Sequence, residues 1–268
     1  MKLGFIGGGN MAAALIGGLR RSANEHEEIL VVERDAARRS VLERDFAVST
    51  RANIDRDLQP SAIVVLAVKP NDMQAVCESL AQVPGERLVL SIAAGIPSGA
   101  IARWCGTEAV VRAMPNTPAL VGKAITGLCA RNAVSADQRA EATRTMRAIG
   151  EVVWFADEAM LDAVTAISGS GPGYVFYFME ALQEAAHRMG MDEGQARQFA
   201  VQTFVGAAQL AAQSTEDVAL LRERVTSKGG TTAAALARLQ QANVGPAIVA
   251  AAFAALERSR EMARTLAP

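Results

Sequence analysis

The sequence predicts an α/β domain followed by an all-α domain, from three observations. An apolar run that ends at Ile6 turns through glycines into an Ala-rich helix. Up to about residue 155, short β-rich runs alternate with helical stretches, which is typical of a parallel sheet covered on both faces. From Asp157 onward no strand pattern is found, and the helices are rich in alanine. We therefore predict a Rossmann-type dinucleotide-binding domain over residues 1–156 and a helical domain over residues 157–268.

The first strand and helix carry the most informative motif, Gly7-x-Gly9-x-x-Ala12. Gly7 permits a tight turn, Gly9 lets a pyrophosphate approach the backbone, and Ala12 lets the helix pack closely on the strand. The helix N-terminus offers free N–H groups and a partial positive charge. Three consecutive glycines are also unsuited to the apolar core of a signal peptide. The opening residues therefore predict a dinucleotide site.

The other elements of the first domain follow in alternation. The strand candidates are Ile29–Glu33, Ala62–Val68, Leu88–Ile92 and Ala109–Ala113, with helices at Ala36–Asp45, Asn71–Ala81 and Ser98–Cys105. Two later strands, Thr126–Ala130 and Glu151–Phe155, flank a helix near Ser135–Ala148 and are expected to extend the sheet at one edge.

The second domain reads as helices throughout. They are predicted at Pro172–Met189, Glu193–Gln213, Val218–Arg224, Thr232–Gln241 and Pro246–Leu266. Narrow alanine faces alone give a thin core. Such a layer folds on its own protomer or against a second copy of the chain.

The composition is typical of a soluble globular protein of a reducing compartment. The formal net charge is −1, which gives no electrostatic case for nucleic-acid or membrane partners. The three cysteines, Cys77, Cys105 and Cys129, form no CxxC pair, and there are only two histidines, His26 and His187. Disulfides and a metal site are therefore not expected. A cytoplasmic location is expected.

Several strand ends carry residues suited to the ligand crevice of a doubly wound sheet. At the second strand, Glu33 would accept hydrogen bonds from the ribose of NAD, whereas Arg34 would pair with the 2′-phosphate of NADP; the sequence leaves this choice open. Ala67-Val-Lys-Pro70, Ser91-Ile-Ala-Ala-Gly95 and Met114-Pro-Asn-Thr-Pro118 close the next three strands. We expect them to face the same crevice.

A second glycine motif opens a helix of the second domain. In Thr226-Ser-Lys-Gly-Gly-Thr-Thr232, consecutive N–H groups and two hydroxyls form a nest suited to a carboxylate. A plain helix cap would need only one Ser or Thr.

These motifs together closely resemble the pyrroline-5-carboxylate reductases over essentially the whole chain. The resemblance is carried by Phe5-Ile-Gly-Gly-Gly-Asn-Met11, Ala67–Pro70, Ser91–Gly95, Arg112-Ala-Met-Pro-Asn-Thr-Pro118, Ser168-Gly-Ser-Gly-Pro172 and Ser227-Lys-Gly-Gly-Thr-Thr232. The chain departs from the family pattern at Gly173 (usually Ala), at Lys228 (usually Pro) and at Glu33 (commonly neutral).

The resemblance implies NAD(P)H-dependent reduction of (S)-1-pyrroline-5-carboxylate to L-proline, with NADPH the usual donor and NADH left open by Glu33. It implies cofactor contacts at Ile6, Gly7, Gly9, Asn10, Met11, Arg34, Asn53, Ala67, Val68, Lys69, Pro70 and Ala94. It implies substrate contacts at Glu158, Gly229, Gly230, Thr231 and Thr232. Thr232 is the implied catalytic residue, hydrogen-bonded to the ring nitrogen, and no metal is involved.

The resemblance also implies that the helical domain binds substrate and forms a homodimer, with a decameric ring of dimers as a larger assembly. Two alternatives are weaker. A 3-hydroxyacid dehydrogenase would use a Lys with an Asn four residues later, and no lysine here has Asn at that offset. A non-catalytic dinucleotide sensor would have no use for the second anion nest.

Overall fold

The computed structural model of the protein describes residues 2–22 and 28–266, so His26 lies outside the described residues. The chain forms two compact units, Met1–Ser170 with Ala255–Pro268, and Gly171–Ala254. The first is an α/β unit and the second is helical, which confirms the predicted fold class. The functional boundary between residues 156 and 157 stays a prediction.

The strands and helices have the following bounds. The strands are β1 (Lys2–Ile6), β2 (Glu28–Val32), β3 (Ser49–Arg51), β4 (Ile63–Leu66), β5 (Leu88–Ser91), β6 (Val110–Met114), β7 (Ala124–Ala130) and β8 (Gly150–Trp154). The helices are α1 (Asn10–Arg21), α2 (Ala36–Phe46), α3 (Met73–Ala81), α4 (Ser98–Cys105), α5 (Ala136–Arg147), α6 (Met160–Val164), α7 (Gly171–Arg188), α8 (Glu193–Gln213), α9 (Val218–Arg224), α10 (Thr231–Gln241) and α11 (Val244–Leu266).

All eight strands lie in one sheet, in the order β3-β2-β1-β4-β5-β6-β7-β8. The chain proceeds from β1 toward β3 on one side and from β4 toward β8 on the other. A topological switch point therefore lies between β1 and β4, where such sheets bind ligands beyond the strand ends. Every neighbouring pair is parallel except β6 and β7.

The antiparallel β6–β7 pair follows from a short connection. Residues 115–123 between these strands contain only a 3₁₀ turn, Thr117–Val121. A parallel return needs a crossover of a dozen or more residues, usually a helix, so the chain turns back beside the strand that it has left. As predicted, β7 and β8 extend the sheet at one edge.

The first unit has an apolar layer on each face of the sheet. On one face, Leu3 and Phe5 of β1 pack in a buried cluster with Leu15 and Ile16 of α1. On the other face, Ile6 lies in a second cluster that includes residues of α3 and α4. Alternate residues of each strand face opposite layers, so the period of two along the strands builds both cores.

The helical unit has very little core of its own. Among residues 171–254, only Ala196 and Ala200 are buried. Large apolar side chains are instead exposed, among them Phe176 (63%), Tyr177 (71%), Phe199 (62%) and Phe253 (62%). Several large exposed apolar side chains on one unit are typical of an interaction surface.

Within the described residues, no single helix is long and apolar enough to cross a membrane; only α10 and α11 together, as a pair bent by 55°, meet the length and composition test.

Candidate functional site

The turn after β1 lies at the switch point of the sheet and requires glycine. Gly7 has φ = +96°, and a Cβ there would lie 2.5 Å from the carbonyl oxygen of Ala67, which follows β4. The Gly7 N–H donates to Val32 O at 2.8 Å, and the Ala67 N–H donates to Ile6 O at 2.8 Å. The ends of three strands are thus held tightly around Gly7, and no side chain fits there.

The N-terminus of α1 is free to receive an anion. Gly9 is the N-cap residue, no side chain caps the helix, and its first turn carries no acidic residue. A Cβ added at Gly9 would meet nothing within 4 Å, so the space in front of the helix is open. Free N–H groups and the helix dipole favour a phosphate at this point. These features fit the pyrophosphate of a dinucleotide, with Asn10 and Met11 in the first turn.

A cavity of about 410 Å³ continues from this turn along the ends of β2 and β3. Its size suits one nucleoside portion of a dinucleotide. Its lining residues are Ile6, Gly7, Val32, Glu33, Arg34, Ala52, Asn53, Ile54, Val68, Ala75, Val76 and Ser79. Five residues assigned to the cofactor by resemblance are thereby brought together, namely Ile6, Gly7, Arg34, Asn53 and Val68.

Glu33 is directed toward the glycine turn. Its Oε2 accepts from the Gly8 N–H at 2.8 Å, and its Oε1 accepts from the Asp35 N–H at 2.9 Å. Arg39 donates to the carbonyl oxygens of Glu33 and Arg34, both at 2.8 Å, so the backbone of this loop is fixed as well. Hydrogen bonding from the Arg38 N–H holds the pKa of the Asp35 carboxyl below its usual value.

Four other residues assigned to the cofactor follow the ends of β4 and β5 and do not line this cavity. Ala67 directly follows β4, Lys69 is exposed, and Pro70 begins the 3₁₀ turn Pro70–Asp72 that leads into α3. Ala94 lies half-exposed in the turn between β5 and α4. They stand at the same carboxyl edge of the sheet as Gly7.

Glu158 belongs to a network of charged and polar groups in the first unit. Its Oε1 accepts from the Ser98 N–H at 2.7 Å and from Arg112 Nη1 at 3.0 Å, and its Oε2 accepts from Ser98 Oγ at 2.5 Å. The Arg112 side chain is only 5% exposed, whereas that of Glu158 is 28% exposed. The carboxylate therefore neutralises a buried arginine and faces the N-terminus of α4.

Asn116 has a structural role instead of the crevice contact expected from the sequence. Its side-chain amide donates to Ser168 O at 3.1 Å and accepts from the Ile125 N–H at 3.1 Å. Ser168 lies in a π-helical turn, Thr165–Gly169, which precedes the helical unit. The side chain is used within the fold because a buried amide must find partners there.

The second anion nest lies at the start of α10, in the helical unit. Gly229 has φ = +72°, Gly230 is the N-cap residue, and no side-chain hydrogen bond caps the helix. The helix begins at Thr231, one residue before the predicted start, which makes Thr232 its second residue. Thr232 is therefore not the capping residue. The N–H groups of the first turn have no partner within the helix, so they could bind an anion.

Comparison with known proteins identifies the family. Residues 158–262 match the family model described as pyrroline-5-carboxylate reductase dimerisation, and residues 2–95 match the one described as NADP oxidoreductase, coenzyme F420-dependent. The pyrroline-5-carboxylate reductase of Pseudomonas aeruginosa is 42% identical over 267 residues, which cover 99% of this chain and 98% of that one. The chain belongs to the pyrroline-5-carboxylate reductase family.

Solved structures agree with this assignment. A pyrroline-5-carboxylate reductase from Coxiella burnetii matches with a TM-score of 0.92 and 38% identity, covering 97% of both chains. The Plasmodium falciparum pyrroline carboxylate reductase, solved with NADP bound, matches with a TM-score of 0.86 and 27% identity, covering 98% of both chains. The family predicted from the motifs is confirmed, and the dehydrogenase and sensor alternatives are set aside.

Sequence reasoning missed two parts of this reductase site. The short strand β3 was not predicted, so Ala52 and Ile54, which follow it and line the cavity, were not assigned. The partnership of Ser98 and Arg112 with Glu158 joins residues up to 60 positions apart. Its only signal in the sequence is an arginine within an apolar strand, which must find a buried partner.

Proposed function

We propose that the chain reduces (S)-1-pyrroline-5-carboxylate to L-proline with NAD(P)H, the last step of proline biosynthesis. The observation that carries this proposal is the match to reductases over essentially the full chain. The two uncapped helix N-termini support it, because the reaction brings together a dinucleotide pyrophosphate and a substrate carboxylate. When bound, the reduced nicotinamide supplies the hydride to C5 of the imine.

The first unit binds the dinucleotide in this proposal. Gly7, Gly9, Asn10 and Met11 hold the pyrophosphate at the N-terminus of α1. Arg34, Asn53 and Ile6 contact the adenosine end, and Ala67, Val68, Lys69, Pro70 and Ala94 contact the nicotinamide end. Glu158 acts by positioning, since it fixes Ser98, four residues beyond Ala94, at the start of α4.

The helical unit binds the imine. Gly229, Gly230 and Thr231 surround the carboxylate in this proposal. The N–H groups of Gly229 and Thr231 face it, whereas the Gly230 N–H donates to Ser227 O at 3.0 Å. Thr232 lies one residue further along α10. Its hydroxyl accepts from the protonated ring N–H and stays bonded to the amine that the reduction produces. The imine nitrogen gains one proton and C5 gains one hydride. The protein therefore needs only to position the ring with a hydrogen-bond partner.

Thr232→Val tests this assignment, because it preserves size and β-branching and removes the hydroxyl. Loss of one hydrogen bond to a charged group costs about 1.5–3 kcal/mol, so kcat/KM for the imine should fall about ten- to a hundredfold. The melting temperature should stay near that of the wild type, since Thr232 does not cap the helix. Imine-dependent oxidation of NADH and NADPH gives the readout.

Thr203→Val is the matched control. Its hydroxyl donates to Phe199 O within α8, so the same chemical change falls on an exposed helix. This variant should retain wild-type kinetics. A Thr232→Val enzyme with unchanged kcat/KM would remove Thr232 from the site, and a wild type that oxidises neither cofactor in the presence of the imine would refute the proposed activity.

We further propose that the chain forms a homodimer through its helical unit, with larger rings of dimers possible in the family. The exposed apolar side chains of α7, α8 and α11 support this proposal, since they have no partner surface within the helical unit to bury them. The free, buried cysteines suit a cytoplasmic location.

A further inference from the structure

The Glu33 carboxylate lies at the cavity after β2 and is directed toward the glycine turn. Glu33 lies at the position where dinucleotide-binding sheets read the adenosine ribose, directly after the second strand. Its carboxylate is half-buried and lines the cavity together with Arg34 and Asn53. The two neighbouring residues, Glu33 and Arg34, would favour opposite cofactors.

Glu33 is fixed and Arg34 is not. The Glu33 carboxylate accepts one backbone N–H on each oxygen, from Gly8 and from Asp35. Arg34 is exposed, and its guanidinium makes no hydrogen bond or ion pair with any residue that the structure describes. A carboxylate held by two N–H groups keeps its place, whereas a free arginine at the surface loses side-chain entropy on pairing and is screened by salt.

Two other cations near this loop are already engaged, whereas the exposed side chain of Arg38 makes no hydrogen bond or ion pair with any residue that the structure describes. Arg39 donates to the carbonyl oxygens of Glu33 and Arg34. Arg51, which ends β3, pairs with Asp57 at 2.6 Å. The ionised Asp35 carboxylate adds a second negative charge to the loop. A ribose 2′-phosphate placed here would therefore meet a carboxylate held by two backbone N–H groups, whereas the cations left to pair with it, Arg34 and Arg38, are on exposed side chains.

We propose that Glu33 selects NADH over NADPH in this reductase, by accepting from the ribose hydroxyls and repelling a 2′-phosphate. Each Glu33 oxygen retains a lone pair beyond the one used by the backbone, so two ribose hydroxyls find acceptors without any movement of the loop. This inference rests on the proposed function for the reaction that it serves. It concerns the cofactor alone and is measured without substrate.

Direct binding tests the inference. We expect the dissociation constant of NADH, followed by cofactor fluorescence on the wild type without imine, to be at least tenfold below that of NADPH. Glu33→Gln preserves the acceptor for Gly8 and removes the charge. It should tighten NADPH about tenfold and weaken NADH several-fold, so that the preference disappears or reverses.

Glu28→Gln is the matched control, since it removes the same charge from the exposed opposite end of β2. It should leave both dissociation constants unchanged. Tighter binding of NADPH than of NADH by the wild type would overturn the inference, as would equal effects of Glu33→Gln on both cofactors. A wild type that prefers NADH in binding but shows no imine-dependent turnover would refute the proposed function and leave this inference standing.

Discussion

Removal of the Glu158 carboxylate should destabilise the protein rather than merely weaken substrate binding. In Glu158→Ala, Arg112 keeps its buried charge with no counterion, and its Nη2 already lacks a hydrogen-bond partner. Breaking a buried ion pair on one side costs about 3–5 kcal/mol. Because Glu158 is 28% exposed, we take the lower end, about 3 kcal/mol. For a unit of this size that corresponds to a fall of about 6–12 °C in the melting temperature.

Thermal and urea unfolding at one fixed protein concentration measure this loss. Glu151→Ala, at an exposed position of β8, is the control and should stay within about 0.5 kcal/mol of the wild type. The double variant Arg112→Met with Glu158→Gln should recover most of the loss, since no uncompensated charge then remains. A Glu158→Ala protein that melts like the wild type but has a raised KM for the imine would refute the structural role.

Two further predictions concern the glycine turn and the apolar helical surface. Gly9→Ala should cost only about 1 kcal/mol of stability yet weaken dinucleotide binding at least tenfold, because its Cβ enters open space in front of α1. Gly7→Ala should lose both stability and binding, because its Cβ meets Ala67 O; equal melting temperatures for the two variants would contradict this reasoning. Phe253→Asp should dissociate the proposed dimer in sedimentation, since each copy would lose about 1.5–3 kcal/mol of apolar burial. An unchanged mass would place Phe253 outside the proposed interface.

The sequence predicted the elements well because their signals are local. The periodicity of α8 and α9 gave their bounds to the residue, and the glycine motif predicted the turn from β1 into α1. β3 escaped prediction because three residues carry too little pattern. The direction of β7 depends on the length of a loop rather than on the strand's own residues.

The sequence pointed to five residues that line the cavity after β2, but it did not predict the orientation of their side chains. The adjacent Glu33 and Arg34 imply opposite cofactors, and the sequence does not show that the Glu33 carboxylate is held by the N–H groups of Gly8 and Asp35. The amide of Asn116 was expected in the crevice but is used by Ile125, nine residues later, and by Ser168, 52 residues later. A polar side chain at a strand end can serve a ligand or the fold, and the choice depends on partners that no local window contains.

The position of the last helix has a consequence for the order in which the parts of the protein fold during synthesis. The stretch from Ala255 onward belongs to the α/β unit, where Ser259 donates to Asp162 at 2.7 Å and Leu266 packs against the cluster under α3 and α4. A Cβ on Gly95 would lie 3.3 Å from Met262, so the partners of the turn after β5 are synthesised more than 150 residues later. Because domains generally fold as their segments are synthesised, the dinucleotide unit emerges early but completes its packing only when the far end of α11 has left the ribosome. Until then the surface of the turn after β5 that contacts α11 stays exposed in the nascent chain. The helical unit is synthesised after that turn and before the end of α11.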